Sequence, residues 1–249
     1  MNKIIFISGT PGVGKTTIAN NLNNELSKEY DSKLIKINDL AIENDLIQGE
    51  DLEKRYKIVD IDKLSRKLNT VINSFFTMNG SFETSSSFQT SDSFNSYGTN
   101  SSDVSDSFNS YCTNSSDVSD SFNRFDNNSN NFTNSKIAIV EGHLSHLCDI
   151  ENININFDFK VIVLRLNPDI LQKRLFSRNY SENKIYENLE AEALGVCSVE
   201  AYENHGENVN EIDTSDLTLP EVLNLVKAVL FDEKYFPVGN VDFINWILE

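Results

Sequence analysis

Residues 9–16 read Gly-Thr-Pro-Gly-Val-Gly-Lys-Thr, a complete G-x-x-x-x-G-K-[ST] pattern. An apolar run at 3–8 predicts a buried strand before it, and apolar residues at helical spacing predict a helix over 15–28. Glycines let such a turn wrap tightly, so that backbone N–H groups and the helix dipole point at phosphate oxygens. The order of strand, loop and helix favours a loop that binds a nucleoside triphosphate over a glycine-rich turn without a ligand.

Two side chains of this pattern carry specific chemistry. Lys15 is expected to reach the β- and γ-phosphates, and the Thr16 hydroxyl to ligate Mg²⁺. Phosphate-loop proteins need a second acid at the end of a neighbouring strand to hold a water of the metal shell. Glu141 directly follows the apolar run 137–140 and is predicted to fill that place. The alternative is a strand-end acid that faces solvent.

The two histidines after Glu141 are further candidates. His143 lies two residues beyond the acid, so in extended backbone it would face the same side and could orient water or a phosphate oxygen. A purely structural histidine remains the alternative. His146 lies three residues further on, but no Cys or third His stands at ligand spacing, so a zinc site is not predicted.

Three arginines follow the apolar strand predicted at 160–164. They are Arg165, Arg174 and Arg178, the last two spaced to share one face of the chain. Phosphoryl transfer needs cations over the migrating group, and the rigid guanidinium fork suits that work. The sequence therefore predicts a phosphate clamp, with ordinary surface arginines as the alternative.

A low-complexity segment interrupts the chain at 77–135. It consists mainly of Ser, Asn, Asp, Thr and Phe, and its residues 94–107 and 108–121 are identical except for Gly98 against Cys112. Such a composition cannot bury enough apolar surface to offset the entropy of ordering, so a disordered insert is predicted. About 190 residues remain outside it, the size of one compact domain.

Charge and cysteine content restrict the partners and the compartment. The net charge is −17, and it remains −11 without the segment, which holds one basic and seven acidic residues. This acidity argues against non-specific nucleic-acid binding and permits a basic protein partner, although solubility alone would explain it. The three cysteines (Cys112, Cys148 and Cys197) form no framework, and no apolar run of membrane length occurs. We therefore expect a reduced, cytoplasmic compartment, or a nuclear one in a eukaryote, with no membrane and no direct DNA binding.

Strands and helices alternate in the remaining residues. Strands are predicted at 3–8, 34–37, 136–140, 160–164 and 209–212, and helices at 15–28, 40–45, 61–75, 168–177, 182–203 and 220–231. Short apolar strands separated by helices are typical of a parallel sheet covered on both faces. The predicted fold is an α/β phosphate-loop NTPase with five parallel strands.

Several segments together resemble the adenylate kinase isoenzyme 6 family. They are the phosphate loop at 9–17, Asn-Asp-Leu-Ala at 38–41, Val-Glu-Gly-His-Leu-Ser-His-Leu at 140–147, Val-Leu-Arg at 163–165 and Arg-Asn-Tyr-Ser-Glu at 178–182. The resemblance spans 1–76 and 136–231. It implies a nucleoside monophosphate kinase that uses ATP and Mg²⁺ and also hydrolyses ATP. It further implies a role in maturation of the small ribosomal subunit, with a ribosomal protein of the uS11 type and the pre-30S or pre-40S particle as partners.

The resemblance also assigns roles to residues. It implies that ATP is bound by Gly12, Gly14, Lys15, Thr16, Thr17 and the lid arginine Arg178. Residues 177–187 would form a short lid, and 36–60 the monophosphate-binding region, with Asn38, Asp39, Arg55 and Tyr56 as candidates. Asn179 stands where the family often has glycine, and the insert is foreign to the family pattern. The tail 232–249 is predicted to pack on the domain or to recruit a partner.

Two functions stay open from the sequence. One is a nucleoside monophosphate kinase that transfers the terminal phosphate of ATP to AMP or another monophosphate. The other is a ribosome-assembly ATPase in which water is the acceptor and nucleotide state switches the binding of a basic protein. Both readings use the same phosphate loop, so the residues alone do not separate them.

Overall fold

The computed structural model describes residues 1–51, 56–78, 135–178 and 180–248. The predicted disordered insert at 77–135 therefore lies outside the described residues apart from its ends. At those ends, Thr77 still belongs to a helix, and the Lys136 ammonium donates hydrogen bonds to the carbonyls of Phe75 and Met78. The end of this helix and the residues that begin again at 135 thus lie side by side.

A five-stranded sheet forms the centre of the domain. Its strands are β1 (Asn2–Ser8), β2 (Asp31–Lys36), β5 (Lys136–Glu141), β6 (Phe157–Arg165) and β7 (Val209–Asp213). They lie in the order β2-β5-β1-β6-β7, and every neighbouring pair is parallel. The predicted parallel five-stranded sheet is confirmed. Because β1 lies between β5 and β6, the end of β1 is where the chain order reverses, the position at which open α/β sheets bind ligands.

Helices cover both faces of the sheet. They are α1 (Lys15–Leu26), α2 (Ile37–Glu43), α3 (Ile61–Thr77), α4 (Pro168–Phe176), α5 (Glu182–Ala193), α6 (Val196–His205), α7 (Leu219–Leu230) and the short α8 (Asn245–Leu248). Alternate strand residues supply two cores: Ile5 and Ile7 pack with α1 and α7, while Ile4 and Phe6 pack with α2 and α3. This alternation follows from the period of two in a strand with both faces buried.

One predicted helix is divided, and one pair of strands was missed by the sequence prediction. The helix predicted at 182–203 is divided into α5 and α6 at Gly195, whose φ of 68° is left-handed and suits glycine. An antiparallel hairpin of β3 (Ile47–Asp51) and β4 (Tyr56–Val59) was not predicted. The two strands are only five and four residues long, and β3 holds a single apolar residue, Ile47, so the period-two signal is weak.

No helix in the described parts of the chain is long and apolar enough to cross a membrane.

Candidate functional site

The phosphate loop is held tightly between β1, β6 and α4. A Cβ added to Gly9 would stand 2.4 Å from the Leu164 carbonyl oxygen, and one added to Gly12 would stand 2.7 Å from the Leu171 side chain. Both glycines also have left-handed φ values, 130° and 102°. Any other residue at these two positions would clash as well as strain the backbone. Gly9, the first glycine of the pattern, is therefore required for space and for conformation, and the same two reasons favour glycine at residue 12, which the pattern leaves variable.

Lys15 begins α1 and points back across the loop. Its ammonium donates hydrogen bonds to the carbonyls of Gly9 at 2.8 Å and Thr10 at 3.0 Å, and only 8% of the residue is exposed. Burial lowers the pKa of Lys15 from 10.5 to about 8, against the opposing influence of nearby carboxylates. The cation lies in the cleft with its charge poorly hydrated, which strengthens its attraction to an anion.

Thr16 and Glu141 meet at the edge of the sheet. The Thr16 hydroxyl donates a 2.8 Å hydrogen bond to the Glu141 carboxylate, which ends β5 and is 7% exposed. In proteins Mg²⁺ commonly takes one or two oxygen ligands from the chain, and substrate phosphates and water supply the rest. An adjacent hydroxyl and carboxylate fit that requirement, so these two residues could hold the ion directly or through water. Among described residues, no cluster of three or more His, Cys, Asp or Glu could hold a metal.

His143 lines the same cleft, two residues beyond Glu141. Burial, with a smaller contribution from the positive charge of Lys15, lowers its pKa from 6.5 to about 4. The ring is therefore neutral near pH 7, with one nitrogen able to accept a hydrogen bond and the other to donate. His146 lies elsewhere: it is buried, with its ring nitrogens bonded to the Ser8 hydroxyl at 2.6 Å and the Glu200 carboxylate at 2.9 Å.

The loop forms one end of a cleft of about 920 Å³. Gly12, Gly14, Lys15, Thr16 and Thr17 all line it, together with Glu141 and His143. The far wall is mostly apolar and is built by α2, the hairpin and the start of α3. Its members are Asn38, Ala41, Ile42, Ile47, Ile58, Val59 and Ile61. The structure thus joins an anion-binding end and an apolar wall within one cavity.

Two cations line the cleft, one from the turn after α4 and one from the start of α5. Arg178 lines the cavity, and its positive charge contributes to the lowered pKa of Lys15. Lys184 lines the cavity from the first turn of α5. The Lys184 ammonium also lies 4.9 Å from the centre of the Tyr180 ring. Lys184 was missed by the sequence analysis. A cation in the first turn of a helix opposes the helix dipole, and that cost is a signal for a functional role. Asn179 of the predicted lid lies outside the described residues.

Arg165 is not part of this cleft, in contrast to the predicted clamp. It is 2% exposed and is paired with two buried carboxylates, Glu192 at 2.9 Å and Glu211. Because β6 continues through Arg165, the side chain enters the interior behind the loop instead of the site. The sequence analysis ended this strand at residue 164 and so placed Arg165 in the following loop, whereas β6 includes Arg165.

Arg174 lies outside the cleft as well. Its guanidinium donates to the carbonyls of Val13 at 3.2 Å and Gly12 at 3.5 Å. It therefore braces the outer side of the phosphate loop from α4. Of the three predicted arginines, only Arg178 lines the cavity.

The predicted monophosphate-binding region is only partly brought to the cleft. Asn38 lines the cavity, whereas Asp39 is exposed and is not among its lining residues. Arg55 lies outside the described residues, and the side chain of Tyr56 is likewise not described. The hairpin residues Ile47 and Ile58, which the sequence analysis missed, contribute instead.

Comparison with known proteins finds relatives that match nearly the whole chain. The family described as AAA domain matches residues 5–195. A protein of Methanothermobacter thermautotrophicus named "putative adenylate kinase" is 31% identical over 245 residues, which cover 98% of this chain and 99% of that protein. A Methanococcus maripaludis protein of the same name is 30% identical over 244 residues, covering 97% and 96%. A solved gluconokinase of Sinorhizobium meliloti 1021 has a TM-score of 0.44 at 11% identity, covering 93% of each chain.

Proposed function

Since this chain belongs to the adenylate kinase family that its archaeal relatives represent, we propose that it transfers the terminal phosphate of ATP to a nucleoside monophosphate. AMP is the first acceptor to test, because the names of the relatives specify an adenylate kinase. The reaction would require Mg²⁺, as phosphate-loop enzymes generally do.

One observation carries the proposal: the phosphate loop and a set of apolar residues line a single cleft. The loop and Lys15 suit a triphosphate, while Ile42 and Ile58 are large apolar side chains left 60% and 50% exposed within the same cavity. Exposed apolar surface of this kind is typical of a ligand site, where it contacts a flat base. A cleft with two such ends holds a donor and an acceptor together.

The residues present would perform the transfer by positioning and charge. Lys15 would bind the β- and γ-phosphates, and Arg178 and Lys184 would approach them from the other side. A bound Mg²⁺ at Thr16 and Glu141 would neutralise phosphate charge. No strong general base is needed, because holding the acceptor phosphate in line with the donor supplies most of the acceleration.

The test is ADP production from ATP and Mg²⁺ with and without AMP, on the full chain. We expect AMP to accelerate turnover strongly, and a panel of GMP, CMP and UMP to define the acceptor range. Lys15→Ala should abolish turnover and leave the melting temperature within a few degrees of the parent. Retained turnover in that variant would contradict the assignment of the site.

A matched chain separates the insert from the activity. Because Met78 and Lys136 are in contact, residues 79–134 can be replaced by a short Gly-Ser linker without separating β5 from α3. Equal AMP stimulation in both chains would show that the insert is not required for the transfer.

A second candidate is ATP hydrolysis linked to assembly of the small ribosomal subunit. The observation that favours it is the neutral ring of His143, which lines the same cleft as Thr16 and Glu141 and could position a water molecule there. The acidic charge would suit a basic ribosomal protein of the uS11 type. This candidate would be supported over the kinase by slow ATP hydrolysis whose rate does not respond to AMP. The hydrolysis should also be lost in His143→Gln and should change in rate when the ribosomal protein is added.

A further inference from the structure

A buried group of charged residues lies directly behind the phosphate loop. It consists of Arg165 at the end of β6, Glu192 in α5 and Glu211 in β7, each at most 3% exposed. One cation and two carboxylates in the interior are costly unless every oxygen has a donor. The partners of these oxygens therefore indicate what the cluster does.

Glu192 is fixed by the end of the sheet. Its Oε1 accepts hydrogen bonds from Arg165 Nε and from the Leu166 backbone N–H, both at 2.9 Å, and its own carbonyl accepts one from Arg165 Nη2 at 2.6 Å. Its other carboxylate oxygen, Oε2, accepts a hydrogen bond from the Thr10 hydroxyl. The carboxylate thus links the rigid end of β6 to the loop.

Thr10 is the second residue of the phosphate loop and is 2% exposed. Its carbonyl accepts the Lys15 ammonium at 3.0 Å and the Val13 N–H at 3.3 Å, while its side chain is turned to Glu192. The loop is therefore tied from within at the residue that also holds Lys15. We propose that Glu192 is a positioning residue that keeps the phosphate loop in its nucleotide-binding shape through Thr10, an inference that rests on the proposed ATP site.

The far side of the cluster is closed by the C-terminal segment. Glu211 Oε1 accepts from Ser198 at 2.6 Å and from Arg165, and its Oε2 accepts the backbone N–H groups of Gly239 at 2.9 Å and Val241 at 3.3 Å. Arg165 is thereby held from both ends. Because its position is fixed, Glu192 has one orientation in which all its bonds are made.

The affinity for ATP depends on the fraction of molecules whose phosphate loop already has the nucleotide-binding shape. A loop rich in glycine has many accessible conformations, and the apparent Kd for nucleotide rises as the competent fraction falls. Once ATP occupies the loop, the shape is restored by the phosphate contacts. Loss of the Thr10–Glu192 bond should therefore weaken ATP binding more than it slows turnover at saturating ATP.

The variants Thr10→Val and Thr10→Ser test this directly, since valine keeps the shape of threonine without the hydroxyl and serine keeps the hydroxyl. Titration calorimetry with Mg²⁺ and a non-hydrolysable ATP analogue should show about a tenfold higher Kd for Thr10→Val, as expected for a lost charge-assisted bond. Thr10→Ser should remain within about twofold of the parent. Glu192→Gln, which removes the charge from the same bond, should change Kd in the same direction.

Ser198→Ala is the matched control, because it removes the bonds of the same cluster to Glu211 and from Arg165 without touching Glu192. It should lower the melting temperature and leave Kd unchanged. Parent-like binding by Thr10→Val, or equal weakening by Ser198→Ala, would overturn the positioning role while the proposed function stands. Failure of the parent chain to bind the analogue would overturn both.

Discussion

The Thr16 hydroxyl donates a 2.8 Å hydrogen bond to the Glu141 carboxylate, across 125 positions of the sequence. Thr16 lies in α1, which follows β1, and Glu141 ends β5. The two residues meet because β1 and β5 are adjacent parallel strands whose ends lie at one edge of the sheet. Since both side chains offer oxygen to a hard cation, the bond marks the point where Mg²⁺ would bind with the nucleotide.

Glu141→Gln tests the metal role of that pair. Glutamine keeps a bond to Thr16 but removes the negative charge, so we expect the Mg²⁺ concentration for half-maximal turnover to rise about tenfold or more. The measurement is a Mg²⁺ titration of the kinase rate at saturating ATP and AMP. Thr16→Ser retains the hydroxyl and is the control, with an expected change below about twofold. An unaltered Mg²⁺ requirement in Glu141→Gln would contradict the assignment.

The protein should take up a proton when it binds nucleotide at alkaline pH. The pKa of Lys15 is about 8 in the free protein because the ammonium is buried, and bound phosphates would raise it again. At pH 7 Lys15 is already charged, so uptake should be small, whereas at pH 9 it should approach one proton. The affinity should correspondingly fall above pH 8, by at most about tenfold per pH unit. Calorimetry in two buffers of different ionisation enthalpy measures the uptake; none at pH 9 would show that Lys15 does not titrate on binding.

The apolar wall should contribute to binding of the acceptor, AMP, and not to binding of the donor, ATP. Ile58→Ser removes apolar surface from the hairpin side of the cleft, and we expect KM for AMP to rise about tenfold with KM for ATP within about twofold. Phe176→Ser is the control, because Phe176 is 74% exposed and is not among the residues lining the cleft. If KM for ATP rises instead, the wall belongs to the donor subsite.

Two arginines should separate stability from activity. Arg165→Met leaves Glu192 and Glu211 buried without their cation, so the free energy of unfolding should fall by about 3–5 kcal/mol. Arg178→Met changes an exposed residue in the cleft and should alter stability by less than about 0.5 kcal/mol. It should nevertheless lower kcat/KM for ATP by about a hundredfold. Urea unfolding measures the stability of both variants, and steady-state kinetics measures kcat/KM. A kinetic loss in Arg165→Met and a stability loss in Arg178→Met would show that Arg165, and not Arg178, contacts the phosphates.

His143 should make the fold sensitive to acid. Its folded-state pKa of about 4 lies below the ordinary 6.5, so between these values the unfolded chain binds more protons. Stability from this group is present above pH 6.5 and is lost as the pH falls towards 4. His143→Gln should therefore show a smaller decrease in urea midpoint between pH 7 and pH 5 than the parent. Identical decreases in the two chains would mean that the ring is protonated freely in the folded state.

Local sequence patterns predicted the sheet, the phosphate loop and the position of Glu141 beside that loop. Local patterns are sufficient for these, because a buried parallel strand is a continuous apolar run, a phosphate loop has fixed glycine spacing, and Glu141 ends its strand. The arginine that enters the cleft depends on packing between distant segments, because β6 extends through Arg165 and this side chain is held in the interior by Glu192 and Glu211. The apolar wall was likewise invisible in the sequence, because it is assembled from α2, the β3–β4 hairpin and α3, none of which forms a cavity until all three pack beside the loop.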